Sequence, residues 1–177
     1  DILKAREILH IPLHVIIRPR GGDFNYSQSE IDVMKKDIEF CKANNINGVV
    51  FGVLTNDKKI NKLVNKELVN IAGSMSTTFH RAIDECTNID GAMNDLISLG
   101  FKRVLTSGGK SNAQEGMEVL KGFQNTLGEK IIIIPGGGIR HNNLQKLLKE
   151  TNCKEYHSAA ILNNSELINT EEVKQLK

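Results

Sequence analysis

Residues 11–18 read IPLHVIIR and residues 74–81 read SMSTTFHR. In an extended chain, successive side chains point to opposite faces. Leu13, Val15 and Ile17 therefore share one face of the first run, while His14, Ile16 and Arg18 share the other. In the second run Met75, Thr77 and Phe79 oppose Ser76, Thr78 and His80. A central strand of an open parallel sheet is covered by helices on both sides and is apolar on both. Polar side chains recurring on one face suit a barrel strand, whose inward face can carry chemistry at one end.

Four further short runs follow the same layout: Gly48–Leu54, Lys102–Ser107, Lys130–Pro135 and Lys154–Ala159. The six runs begin at intervals of about 24–37 residues, the size of one strand-helix unit. Helical spacing fills the gaps. Ser27-Gln28-Ser29-Glu30 predicts a capping box for a helix that buries Ile31, Met34, Ile38 and Cys41. Asn88–Leu99 places Ile89, Ala92, Met93, Leu96 and Ile97 on one stripe, and Gly100 stops it. Asn142 or Asn143 is expected to cap a helix carrying Leu144, Leu147 and Leu148. Asn163–Lys177 reads as polar loop and a terminal helix. Strict alternation of strand and helix predicts an α/β fold with a parallel sheet. Length favours an open doubly wound sheet, because a (β/α)8 barrel normally takes about 250 residues, whereas the strand chemistry favours the barrel. No linker or composition break divides residues 1–177, so a single domain is expected.

Composition narrows the function classes. The 177 residues carry 23 Lys and Arg against 21 Asp and Glu, a net charge of +2. That balance supplies no general attraction for nucleic acid or an anionic membrane. No apolar run approaches the roughly 20 residues that span a bilayer. The three cysteines form no CxxC pair, which fits a reducing, cytoplasmic setting.

Several stretches, taken together and in order, resemble the CutC family, the proteins named for copper homeostasis. They are HVIIRPRGGDF (14–24), NGVVFGVLT (47–55), TTFHRAID (77–84), RVLTSGG (103–109), IIIIPGGGIR (131–140) and EYHSAA (155–160). The resemblance implies a (β/α)8 TIM-type barrel, a homo-oligomer and a copper-related role with copper(I) as its metal. It also implies that about two strand-helix units, roughly 45–50 residues, precede DILKAREILH in the family, so that this chain holds about six units of eight. The cysteines associated with copper in the family would lie on those first two strands. Cys41, Cys86 and Cys153 of this chain read as buried thiols, and no metal ligand set is assigned to it.

The candidate catalytic residues are His14, Arg18, His80 and Arg81, which lie on or at the ends of the first and third runs. Barrel enzymes gather their sites at the C-terminal ends of strands. An arginine keeps its charge and needs a carboxylate, phosphate or ligand, with Asp23, Asp84 and Glu85 within sequence reach. Histidine titrates near neutrality and can move protons, and His157 joins His14 and His80 as a strand histidine. The candidate anion-binding residues are Ser107, Gly108 and Gly109, and Gly136, Gly137 and Gly138. Consecutive glycines let backbone N–H groups converge, and His141 begins the helix beyond the second cluster. Neither cluster is a P-loop or GxGxxG, so neither ATP nor NAD is implied. Two functions follow: a copper-homeostasis protein, or a TIM-barrel enzyme acting on a small anionic or phosphorylated substrate.

Overall fold

A computed structural model describes residues 1–162, 165 and 167–176, which form two compact units, Asp1–Arg103 and Val104–Lys177. Of the expected closing segment, residues 163, 164, 166 and 177 lie outside the described residues. Among the described residues no helix is long and apolar enough to cross a membrane.

The first unit runs α1 (Ile2–Ile8), β1 (His14–Ile16), α2 (Gln28–Ala43), β2 (Gly48–Phe51), α3 (Lys62–Ala72), β3 (Ser76–Phe79), a 3-10 turn (Arg81–Glu85) and α4 (Ile89–Leu99). β1 pairs parallel with β2, His14 opposite Gly48, and β2 pairs parallel with β3, Phe51 opposite Phe79. The expected capping box forms: Ser27 Oγ accepts from the Glu30 N–H, and Glu30 accepts from the Ser27 N–H at 2.7 Å. Ile31, Met34, Ile38 and Cys41 are the buried positions of α2, as their spacing requires. Asn88 caps α4 through the Gly91 N–H at 2.9 Å, and Gly100 ends it in the left-handed region at φ 93°. Under the sheet, the Phe51 and Phe79 rings lie 5.2 and 5.3 Å from that of Phe101.

One buried amide joins α3 to the end of β2. Asn65 is fully buried, its Nδ2 donates to Val53 O at 2.7 Å, and its Oδ1 accepts from the Val53 N–H at 3.1 Å. Both backbone groups of Val53 are thus satisfied by a side chain where the strand ladder has ended.

The second unit runs β4 (Arg103–Thr106), α5 (Met117–Leu127), β5 (Ile132–Pro135), α6 (His141–Thr151) and α7 (Thr170–Gln175). β4 lies beside β5, and Val104, Leu120, Ile133, Ile139 and Leu147 fill the core. Two expectations are corrected here. The run Lys154–Ala159 forms no strand and contributes a single parallel bridge, Gly136 with His157. Its side chains bond locally instead: Tyr156 reaches Thr151 at 2.7 Å and Ser158 donates to Ile139 O at 2.7 Å. The N-cap of α6 is Arg140, whose N–H donates to Asn143 Oδ1 at 2.9 Å; the asparagine caps from inside the helix.

Glu172 of α7 reaches the same helix start. Its carboxylate has no exposed side-chain surface and accepts from the His141 N–H at 2.8 Å and meets His141 Nδ1 at 2.5 Å. Burial pushes this carboxyl up, but the His141 side chain and backbone outweigh it and hold it below its usual range. A depressed carboxyl contributes stability above its unfolded value near 4.5 and loses it as pH falls through the folded value. Glu172→Gln should therefore lower the thermal midpoint at pH 7 and weaken the acid dependence below about pH 4.5. An unchanged midpoint and acid profile would refute this.

Candidate functional site

Strand register and two glycines seat the histidines of the first unit. A Cβ on Gly48 would lie 2.6 Å from His14 Nδ1, and one on Gly52 would lie 2.9 Å from the His80 ring. Each imidazole thus occupies space that any larger residue on β2 or just beyond it would fill. His80 is the more enclosed of the two. It is 5 % exposed, its ring packs 4.8 Å from Phe24 and 5.9 Å from Phe79, and its Nδ1 accepts from the Ala82 N–H at 3.3 Å. With Nδ1 accepting, the proton of the neutral ring sits on Nε2. That atom is buried and has no hydrogen-bond partner. Burial, reinforced by the Arg18 charge, pushes the His80 pKa down to about 4, so the ring is neutral at pH 7.

Arg18 and Arg20 emerge after β1 and take different partners. Arg20 pairs with Asp23 at 2.9 Å and with Glu30 at 2.7 Å, while its guanidinium lies 5.1 Å from the Tyr26 ring centre. Arg18 stacks 4.6 Å from the Phe24 ring centre and donates to Gly22 O at 2.6 Å, with no carboxylate among the described residues. Asp23, within reach of both arginines in sequence, goes to Arg20. Arg81 is an ion-paired residue: its Nε meets Asp84 Oδ2 at 2.8 Å, and the aspartate side chain is 8 % exposed. His14 is exposed above Gly48.

Two buried hydroxyls accompany His80. Thr78, two residues earlier on β3 and on the same face, is 3 % exposed, and its Oγ1 has no hydrogen-bond partner among the described residues. Tyr26 is 7 % exposed and its hydroxyl likewise has none. Burial raises the Tyr26 pKa, opposed by the Arg18 guanidinium, first as a donor near the hydroxyl and then through its charge. The roles of Phe24, Tyr26 and Gly52 were not read from sequence. A signal for two of them exists in RPRGGDFNY, where Arg18 and Arg20 precede Phe24 and Tyr26 by equal offsets. The loop folds back through Gly22, at φ 83°, and each arginine meets its own aromatic ring.

In the second unit the glycine loops are tied into their surroundings. The Gly108 N–H donates to Thr106 Oγ1 at 2.9 Å, Ser107 Oγ donates to Lys110 O, and the Gly136 N–H donates to Thr106 O at 2.9 Å. Gly137 O accepts from the Ala113 N–H at 2.9 Å and Gly138 O from Asn143 Nδ2 at 3.0 Å. Gly108, Gly109, Gly137 and Gly138 all have positive φ, which explains the residue type independently of any ligand. A polar hollow beside Gly138 is lined by Asn112, Gln114, Glu115 and Asn143. His157 N–H donates to Pro135 O at 2.9 Å.

The thiols differ from copper ligands in chemistry. Burial raises the pKa of Cys41 and of Cys153, and pushes Cys86 up to about 11 with neighbouring carboxylates adding to the effect. Among the described residues no three His, Cys, Asp or Glu side chains gather as a metal site. A cavity of about 500 Å³ in the first unit adjoins Cys86, but Lys58, Lys59 and Lys62 along it are ion-paired with Glu85, Asp57 and Asp95.

Parallel strands each leading into a helix, with polar side chains gathered at strand ends, define an α/β protein of TIM-barrel type. The CutC family model matches residues 2–162, and the chain belongs to the CutC family. A CutC family protein of Xylella fastidiosa (strain 9a5c) is 41 % identical over 156 residues, 88 % of this chain and 58 % of the relative. A copper homeostasis protein cutC homolog of Mus musculus is 43 % identical over 156 residues, 88 % of this chain and 57 % of the relative. The chain thus spans less than two thirds of these relatives' length. The crystal structure of CutC from Streptococcus agalactiae superposes with a TM-score of 0.84 at 29 % identity, covering 88 % of this chain and 78 % of that one.

Proposed function

We propose that this chain serves in copper homeostasis as part of a cytoplasmic CutC-family protein, and that its own cysteines do not form the copper site. The observation that carries the first half is the family match over residues 2–162, together with the mouse relative named for copper homeostasis. The second half is supported by the lack, among the described residues, of any three His, Cys, Asp or Glu side chains gathered for a metal, and by burial that raises the pKa of each thiol. Deleting the gene should alter the copper tolerance of its host, and unchanged tolerance would reject the role. Anaerobic copper(I) titration against a chromophoric chelator should give the same result for the chain and for its Cys41→Ser, Cys86→Ser and Cys153→Ser variants. A stoichiometric site lost in any of these variants would overturn the second half.

A second reading is favoured by Arg18, a cation just beyond β1 that has no carboxylate partner among the described residues. In that reading the protein binds a small anionic molecule, as a TIM-barrel enzyme would hold an anionic substrate.

A further inference from the structure

We propose that the first unit carries a binding site for the carboxylate of a small molecule, formed by Arg18, Tyr26, Thr78 and His80. This rests on the small-anion reading and narrows it to one ligand chemistry and one set of residues, all four of which lie outside the glycine loops and ion pairs already described.

The Tyr26 hydroxyl, Thr78 Oγ1 and His80 Nε2 are buried without a hydrogen-bond partner among the described residues. Leaving a buried donor unsatisfied costs roughly 1–3 kcal/mol, so each of these atoms favours an acceptor supplied from outside the chain. Their chemistry then restricts the ligand. His80 offers only a donor there, because Nδ1 is occupied by the Ala82 N–H and the proton must sit on Nε2. The two hydroxyls can donate as well, and Arg18 can only donate. A set composed of donors calls for an acceptor.

Charge restricts it further. Arg18 contributes a full positive charge, and its influence is felt at both Tyr26 and His80. Arg18 and His80 both border the Phe24 ring, the guanidinium 4.6 Å from its centre and the imidazole 4.8 Å from it. The neighbouring carboxylates are engaged elsewhere, Asp23 and Glu30 with Arg20 and Asp84 with Arg81. One cation and three neutral donors match a single negative charge shared by two oxygens. A carboxylate has that charge and can accept several hydrogen bonds, whereas a dianionic phosphate would leave one charge uncompensated.

The test is a titration of the chain, labelled with ¹⁵N at histidine, at about pH 8, where inorganic phosphate is mainly the dianion, with acetate, succinate and phosphate in turn, following His80 Nε2. Acetate and succinate should move that resonance saturably, and phosphate should bind at least about tenfold more weakly. Arg18→Gln, at an exposed position, should weaken carboxylate binding by about tenfold or more, and Tyr26→Phe by about threefold to tenfold. Thermal midpoints of both variants confirm that the fold is retained. Phosphate binding more tightly than either carboxylate would overturn the carboxylate assignment while leaving the small-anion reading in place. No saturable response at His80 to any of the three probes would overturn the site. A parallel calorimetric titration would then show whether anions bind elsewhere or not at all. Carboxylate binding unaffected by Arg18→Gln would also overturn the site.

Discussion

Gly116→Ala is expected to destabilise the second unit by about 3 kcal/mol or more. Gly116 has an ordinary φ of −85°, so the residue type is not set by backbone torsion. It is set by contact, because an alanine Cβ would stand 1.7 Å from the Ser107 carbonyl oxygen. That oxygen belongs to the backbone, and no rotamer change can move it away. Relief requires the start of α5 to move off the loop after β4, disturbing the buried Thr106 and Ser107. Gly122, in the same helix, is the control: nothing lies within 4 Å of its added Cβ. Gly122→Ala should stabilise by about 0.5–1 kcal/mol through helix propensity alone. Urea unfolding of the two variants against the parent measures both signs. A Gly116→Ala variant within about 0.5 kcal/mol of the parent would refute the contact argument.

The second large effect is acid destabilisation through His80. The unfolded ring binds a proton below its ordinary value of 6.5, while the folded ring resists until about 4. Above pH 6.5 both states hold a neutral ring, so His80 adds no pH dependence there. As pH falls from 6.5 toward 4 the unfolded state alone gains the proton, and the folded state loses up to roughly 3 kcal/mol relative to it. Below the folded value both states are protonated and the dependence flattens. Urea unfolding at several pH values between 7 and 4 should show this slope, and His80→Gln should remove most of it. The comparison uses slopes, because the substitution has a packing cost of its own. A slope that survives His80→Gln would assign the effect to other groups.

The elements of this fold were readable where a local device determines them. Ser27 with Glu30, and Asn88 with Gly100, specify helix boundaries through bonds spanning three or four residues, and both helices form as expected. The segment around His157 failed as a strand because its alternation competes with side-chain bonds to Thr151 and Ile139. The bond to Ile139 spans 19 residues and is not visible in a short window of sequence. The site divides along the same line. Arg81 with Asp84 was within reach of sequence spacing, and the ion pair is present. The choice of Asp23 between Arg18 and Arg20 was not, since it depends on how the Gly22 turn directs two neighbouring side chains. Phe24 and Gly52 were missed for a related reason. Their relation to His80 arises through non-local packing, which joins segments distant in sequence.

Asn65 has a consequence for which residues the first unit can accept. Its amide stands in for a peptide group, giving and receiving one hydrogen bond with Val53, immediately after the Gly52 on which His80 rests. Aspartate keeps the shape but loses the donor, and leucine keeps the volume but leaves the Val53 N–H unmet, with the Val53 carbonyl held by the Asn61 N–H alone. Glutamine has the right atoms on an arm one carbon too long. The identity of a residue on an outer helix is therefore dictated by the imidazole's floor, and a substitution in α3 would be felt at His80 without touching it.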